Sequence, residues 1–161
     1  MKVREIMATP PVTVDAETSV MEVARVLLEH RLPGVPVVGE QGELLGIVTE
    51  ADLIVRNANL HLPTFLAFID SLVPTSSARD FESEFRRMLA STAREVMSSD
   101  LLTIAQDADV ADAATVMFEK HANPLPVVDG GTLVGTISRT DLIRLMLREE
   151  DESAASVAAA E

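Results

Sequence analysis

The feature that most constrains this chain is an internal repeat. Arg4-Glu5-Ile6-Met7 returns as Arg94-Glu95-Val96-Met97, an offset of 90 (residue 94 against residue 4). At the same offset Thr13 meets Thr103, Val20 meets Val110, Ala24 meets Ala114, Glu29 meets Glu119, and Pro36-Val37-Val38 meets Pro126-Val127-Val128. One residue then drops out of a turn, and Gly46, Asp52, Leu53 and Ile54 meet Gly135, Asp141, Leu142 and Ile143. The chain is therefore one unit taken twice. The first copy covers 1–57 and the second 93–148, with an insert at 58–92 and a tail at 149–161.

Each copy reads as βαββα. Pro11-Val12-Thr13-Val14 is a short strand. A helix follows from Ser19, where Ser19 and Glu22 have capping-box spacing and Val20, Val23, Ala24, Leu27 and Leu28 form an apolar stripe of helical period. Gly34–Val38 and Leu44–Thr49 are β-branched strands around the turn residues Gly39-Glu40-Gln41-Gly42, and a second helix starts near Glu50. The second copy predicts a strand at Leu101–Ile104, a helix at Val110–Lys120, strands at Leu125–Val128 and Leu133–Ser138, and a helix from Arg139. Three strands and two helices cannot cover both faces of their own sheet. The expected fold is therefore mixed α+β, with the two units packed sheet to sheet about a pseudo-twofold axis.

The insert belongs to neither copy. Pro63 suits a first helical position, and Phe65, Phe68, Ile69 and Leu72 share a stripe; a second helix carries Phe81, Phe85, Met88 and Leu89. Two readings stand side by side: a helical hairpin packed on its own chain, or a face that makes a homodimer or partner contact. The tail is acidic and then Ala/Ser-rich, and is expected to be disordered or a frayed helix end.

Composition excludes several classes of function. There is no Cys, which removes disulfides, thiolate metal sites and thiol nucleophiles. The net charge is −13, from 13 basic and 26 acidic residues, and no run of Lys or Arg offsets it, so nucleic acid is not an expected partner. The N-terminus lacks the apolar stretch of a signal peptide, and no apolar window is long enough to span a bilayer. A cytoplasmic protein without membrane insertion is the expectation. His30, His61 and His121 show no metal-ligand spacing, and no nucleophile-elbow, phosphate-loop or dinucleotide fingerprint is present. Neither a metal site nor catalysis is expected.

Gly34-Val35-Pro36-Val37-Val38, a turn, and Leu44-Leu45-Gly46-Ile47-Val48-Thr49-Glu50-Ala51-Asp52-Leu53 resemble the cystathionine-β-synthase-type (CBS) domain. Leu125-Pro126-Val127-Val128 followed by Leu133-Val134-Gly135-Thr136-Ile137-Ser138-Arg139-Thr140-Asp141-Leu142 resembles it equally. Two such motifs at equivalent points imply the paired unit called a Bateman module. That unit has two clefts for adenosine-containing ligands such as AMP, ADP, ATP or S-adenosylmethionine, and it senses them on behalf of another protein. The resemblance implies that the Asp holds ribose hydroxyls and the Ser or Thr reaches ribose or phosphate, with adenine between the first strand and the x-Pro-Val strand. In the first copy this selects Thr13, Val14, Val35, Pro36, Gly46, Thr49 and Asp52. In the second it selects Thr103, Ile104, Leu125, Pro126, Gly135, Ser138 and Asp141.

The residues themselves leave an alternative open. A carboxylate that accepts two hydrogen bonds can grip a cis-diol. Yet Thr49-Glu50-Ala51-Asp52 and Ser138-Arg139-Thr140-Asp141 also have the form of a capping box, which needs no ligand. For phosphate, the candidates are His30, Arg31, Arg56, Lys120, His121, Arg139 and Arg144. Their placement differs between the copies, as do Pro33 and Asn123-Pro124 at the rim, so the two clefts need not bind alike.

Overall fold

The computed structural model describes residues 1–58 and 91–158. The insert's expected helices, with Phe65, Phe68, Ile69, Leu72, Phe81, Phe85, Met88 and Leu89, lie outside the described residues. The described chain is mixed α+β and contains two three-stranded sheets of the same topology. In the first, β1 (Val14–Asp15) runs parallel to β2 (Gly34–Val38), which pairs antiparallel with β3 (Leu44–Thr49). Helix α1 (Val20–His30) is the crossover, and α2 (Glu50–Ala58) follows β3. The second sheet repeats this with β4 (Ile104–Ala105), β5 (Leu125–Asp129) and β6 (Thr132–Ile137). Around it, α4 (Val110–Glu119) crosses over and α5 (Arg139–Ala158) follows; α3 (Ala93–Val96) precedes β4 in the chain and belongs to the unit of the first sheet.

Local rules account for most of these boundaries. Ser19 caps α1 by accepting from the Glu22 N–H at 3.2 Å, and Arg31 ends it in the left-handed conformation (φ 54°). Val20, Val23 and Leu27 are the buried face of that helix. Leu28, expected on the stripe, is 77% exposed, as is its counterpart Phe118 at 79%. The β5–β6 hairpin turns on Gly130 and Gly131, both at positive φ, because a two-residue turn that follows the strand twist requires left-handed backbone at both positions. β1 and β4 begin later than expected, at Val14 and Ile104, where pairing with Val37 and Val127 starts. Pro10 and Pro11 have no N–H to give to a ladder. α5 continues to Ala158, into the tail for which disorder or a frayed helix end was expected; its Ala and Glu residues favour helix over coil.

The compact units are not the sequence repeats. One unit is Met1–Val12 with Leu102–Glu161, and the other is Thr13–Leu101. The leading segment of each copy packs on the body of the other, through matched bonds. Val3 and Arg4 donate their backbone N–H groups to Ala108 and Gln106 oxygens (both 3.0 Å), while Ala93 and Arg94 donate to Thr18 and Ala16 (2.8 and 2.9 Å). Ala8 bridges Thr136 in the second sheet, and Ser98 bridges Ile47 in the first. Arg4 pairs with Asp107, and Arg94 with Glu17.

Each body closes its core with the borrowed segment. Val3 lies in one apolar cluster with Ile104, Ala113, Met117, Leu125, Val127 and Ile137. Ala93 is buried in the unit that buries Val14, Val23, Val35, Val37 and Val48. Full burial of a valine-sized side chain contributes about 1.5–3 kcal/mol, so a segment bringing one such residue and several backbone bonds is not incidental to stability.

Candidate functional site

Both expected Ser/Thr–Asp pairs form, at the junction of the third strand and the following helix. Antiparallel pairing sets Thr49 opposite Gly34, at the last position of β3. The next three residues turn Asp52 back over it. Asp52 Oδ2 accepts from the Thr49 N–H at 2.7 Å and from the Thr49 hydroxyl at 2.7 Å, and the Asp52 N–H donates to Thr49 Oγ1 at 3.3 Å. In the second copy Asp141 Oδ2 accepts from the Ser138 N–H at 2.8 Å and its hydroxyl at 2.6 Å. Here the Asp141 N–H donates to the Ser138 carbonyl at 3.0 Å. The first is a complete capping box and the second keeps only its return bond from the N-cap N–H to the Asp, and each uses a single carboxylate oxygen. The second oxygen distinguishes the copies. Asp52 Oδ1 accepts no hydrogen bond among the described residues, whereas Asp141 Oδ1 accepts from Arg144 Nη1 at 3.1 Å.

The remaining expected residues divide by role. Val14 and Ile104 are buried strand residues facing Val37 and Val127 across the parallel ladders. Val35, Pro36, Leu125 and Pro126 are fully buried residues of β2 and β5 and offer no open side-chain surface. Thr13 is half-buried and Thr103 exposed, each just before its short strand. Neither makes a hydrogen bond to the caps.

Gly46 and Gly135 serve the exchanged segments. A Cβ on Gly46 would lie 2.5 Å from Met97 Sδ and 2.9 Å from the Ser98 carbonyl oxygen. On Gly135 it would lie 2.7 Å from Met7 Sδ and 2.9 Å from the Ala8 carbonyl oxygen. Glycine is required at both places by close backbone approach. Met7 and Met97 were visible as repeat equivalents, but the alignment carries no sign that each crosses to the other body.

The basic candidates are not gathered into one cluster. His30, Arg31, Lys120 and His121 are exposed at the ends of α1 and α4, and the Arg56 side chain lies outside the described residues. Arg139 is anchored: its Nη2 donates to the Met117 carbonyl at 3.0 Å in the last turn of α4, where helix carbonyls attract a cation. Its backbone N–H donates to Asn123 Oδ1 at 3.0 Å. The matching Glu50 N–H donates to the Pro33 carbonyl at 3.0 Å, so the rim difference between Pro33 and Asn123 is a backbone acceptor exchanged for a side-chain one. Among the described residues no group of three or more His, Asp or Glu is placed to hold a metal ion, and no helix is long and apolar enough to cross a membrane.

Comparison with known proteins agrees with this architecture. The chain is 29% identical over 155 residues to protein MJ1426 of Methanocaldococcus jannaschii, covering 91% of this chain and 92% of that one. It is 27% identical over 153 residues to the CBS domain-containing protein YhcV of Bacillus subtilis, covering 95% and 91%. Other relatives are longer: the match spans 23% of the L-aspartate semialdehyde sulfurtransferase of M. jannaschii. Among solved structures, a putative acetoin utilization protein (AcuB) from Vibrio cholerae superposes with a TM-score of 0.72 at 21% identity, covering 96% of each chain. The CBS domain pair of protein MJ0100, in complex with 5′-methylthioadenosine and S-adenosyl-L-methionine, superposes with a TM-score of 0.66 at 25% identity, covering 92% of this chain and 98% of that one. The CBS domain family model matches residues 3–58 and 93–148, and the chain belongs to that family, with two CBS domains.

Proposed function

We propose that the chain is a regulatory sensor of adenosine-containing ligands, of the AMP, ADP, ATP or S-adenosylmethionine class. It acts in the cytoplasm without catalysis of its own, and binding is passed to a partner protein through a change of conformation or oligomeric state. The observation that carries this reading is the doubled Ser/Thr–Asp junction. In each copy one carboxylate oxygen is spent on the helix cap and the other lies outside the cap. A carboxylate fixed in this way is preorganised to accept from a ribose hydroxyl, and the adjacent helix start favours anions. The MJ0100 domain pair, bound to two adenosine-containing ligands, supports the ligand class.

Signalling in this reading is differential affinity: a ligand shifts the chain only as far as it binds one state better than another. The test is thermal unfolding with AMP, ATP and S-adenosylmethionine. A ligand at 100 times its dissociation constant adds about 2.7 kcal/mol, or about 5–10 °C for a chain of this size. No shift with any of them at millimolar concentration would remove the sensing function.

A second reading, an interaction scaffold that forms a homodimer or docks a partner, draws on one observation. Large apolar side chains stand exposed at equivalent places in the two copies, Leu28 with Phe118 and Ile54 with Ile143. Association independent of any nucleotide, measured by sedimentation, would favour it.

A further inference from the structure

The two junctions differ in one bond that bears on what each can hold. The Asp141 side chain is 13% exposed, and both of its oxygens are engaged. Oδ2 belongs to the cap, and Oδ1 accepts from Arg144, whose own side chain is 69% exposed. At Asp52 the position three residues on is Val55. Among the described residues no guanidinium holds Asp52 Oδ1, which accepts no hydrogen bond there. The other arginine at the second junction, Arg139, is tied to the Met117 carbonyl and is part of the scaffold. Arg144 is held by this one exposed ion pair and is the cation free to move. α2 does contain Arg56, four residues after Asp52 and opposite Leu145 in the alignment. The contrast therefore rests on the Asp141–Arg144 bond and not on a count of charges.

Taking the adenosine-ligand reading as its basis, we infer that Arg144 makes the second cleft selective for phosphate-bearing ligands, while the first cleft discriminates little by phosphate. A ribose hydroxyl can reach Asp141 Oδ1 only by displacing Arg144. A ligand with a 5′-phosphate offers the guanidinium a replacement partner, two of whose oxygens fit its fork of N–H donors, so the displaced ion pair is exchanged for another. A ligand without phosphate breaks the pair and returns nothing. At Asp52 no ion pair among the described residues has to be broken, so a neutral or cationic 5′ substituent is accepted there on nearly the same terms as a phosphate. In a chain of net charge −13, a local cation released at the moment of binding also offsets the general repulsion of phosphate.

The test is titration calorimetry of the full chain with AMP and with adenosine. In the Asp52→Asn variant, which leaves the second cleft as the intact one, AMP is expected to bind at least about tenfold more tightly than adenosine. Adding Arg144→Val, the residue type of the first copy, is expected to bring that ratio below about threefold, with adenosine binding tightened. In the Asp141→Asn variant the ratio is expected to be below about threefold from the start. A ratio that Arg144→Val leaves unchanged, or an Asp52→Asn chain that binds adenosine as tightly as AMP or binds neither, overturns the assignment to Arg144 and leaves nucleotide sensing standing. Failure of the wild-type chain to bind either compound overturns this inference, and failure to bind ATP and S-adenosylmethionine as well overturns both.

Discussion

Met7 lies over the bare Cα of Gly135, its sulfur 2.7 Å from where a Cβ would stand. Met97 holds the same relation to Gly46, at 2.5 Å. Each contact joins a leading segment to the sheet of the other copy. Gly46→Ala and Gly135→Ala are each expected to destabilise the chain by about 1–3 kcal/mol, the usual cost of overpacking. The methionines can swing aside, but the Ser98 and Ala8 carbonyl oxygens, both 2.9 Å away, are backbone and cannot. Urea unfolding of the single variants checks the magnitude. Pairing Gly46→Ala with Met97→Ala should restore only part of the loss.

The exchange of segments predicts where damage travels. Val3 sits in the first sequence repeat but is buried among Ile104, Ala113, Met117 and Leu125 of the second. Val3→Ala is expected to cost about 2 kcal/mol, a truncation inside a closed core. Hydrogen exchange should show protection falling first in β5 and β6. Loss of protection confined to β2 and β3 would contradict the exchange.

Cap and ligand roles of Asp52 are separable by chemistry. Asp52→Asn keeps a carbonyl oxygen to accept from the Thr49 N–H and hydroxyl, and converts the other oxygen into a donor. Stability is expected to fall by less than about 1 kcal/mol, because the cap retains its acceptor. Affinity for an adenosine-containing ligand at the first cleft is expected to fall about tenfold or more. Unfolding and calorimetry on the same variant distinguish the two roles.

The Lys2 ammonium beside Asp109 Oδ1, at 2.9 Å, holds that carboxyl below the ordinary aspartate range through a hydrogen bond and its charge. A folded-state value below the unfolded one contributes stability that is present above the ordinary aspartate range and is lost as pH falls through the lowered value. The pair is exposed, so the effect is small and salt-sensitive. Lys2→Ala should move the Asp109 titration upward in an NMR pH series.

Local chemistry made much of this fold legible. Ser19 announced the start of α1, and the Ser19–Glu22 spacing is the cap that forms. The turn residues Gly39-Glu40-Gln41-Gly42 lie between β2 and β3, and the β-branched runs at Gly34–Val38 and Leu44–Thr49 are those strands with the expected ends. Thr49 with Asp52, and Ser138 with Asp141, were legible as pairs because three-residue spacing at a helix start brings them together whatever the rest of the chain does. Leu28 was misplaced because helical period reports which residues share a face, not how wide the buried part of that face is.

What the sequence by itself determined is the unit and its number: two βαββα copies, each with a glycine, a hydroxyl and a carboxylate at fixed places. These follow from short-range rules of capping, turn geometry and strand pattern, which act within a few residues. What only the tertiary structure decided is which copy each leading segment completes, and what occupies the second oxygen of each Asp. Arg4-Glu5-Ile6-Met7 and Arg94-Glu95-Val96-Met97 are nearly the same peptide and fit either sheet by pattern alone. Their assignment to opposite bodies depends on chain path and on the closing of two cores around Val3 and Ala93. The Asp141–Arg144 bond likewise depends on a side-chain conformation that spacing permits without requiring. Long-range packing settles such choices because it is where alternative pairings of equal local quality first differ in free energy.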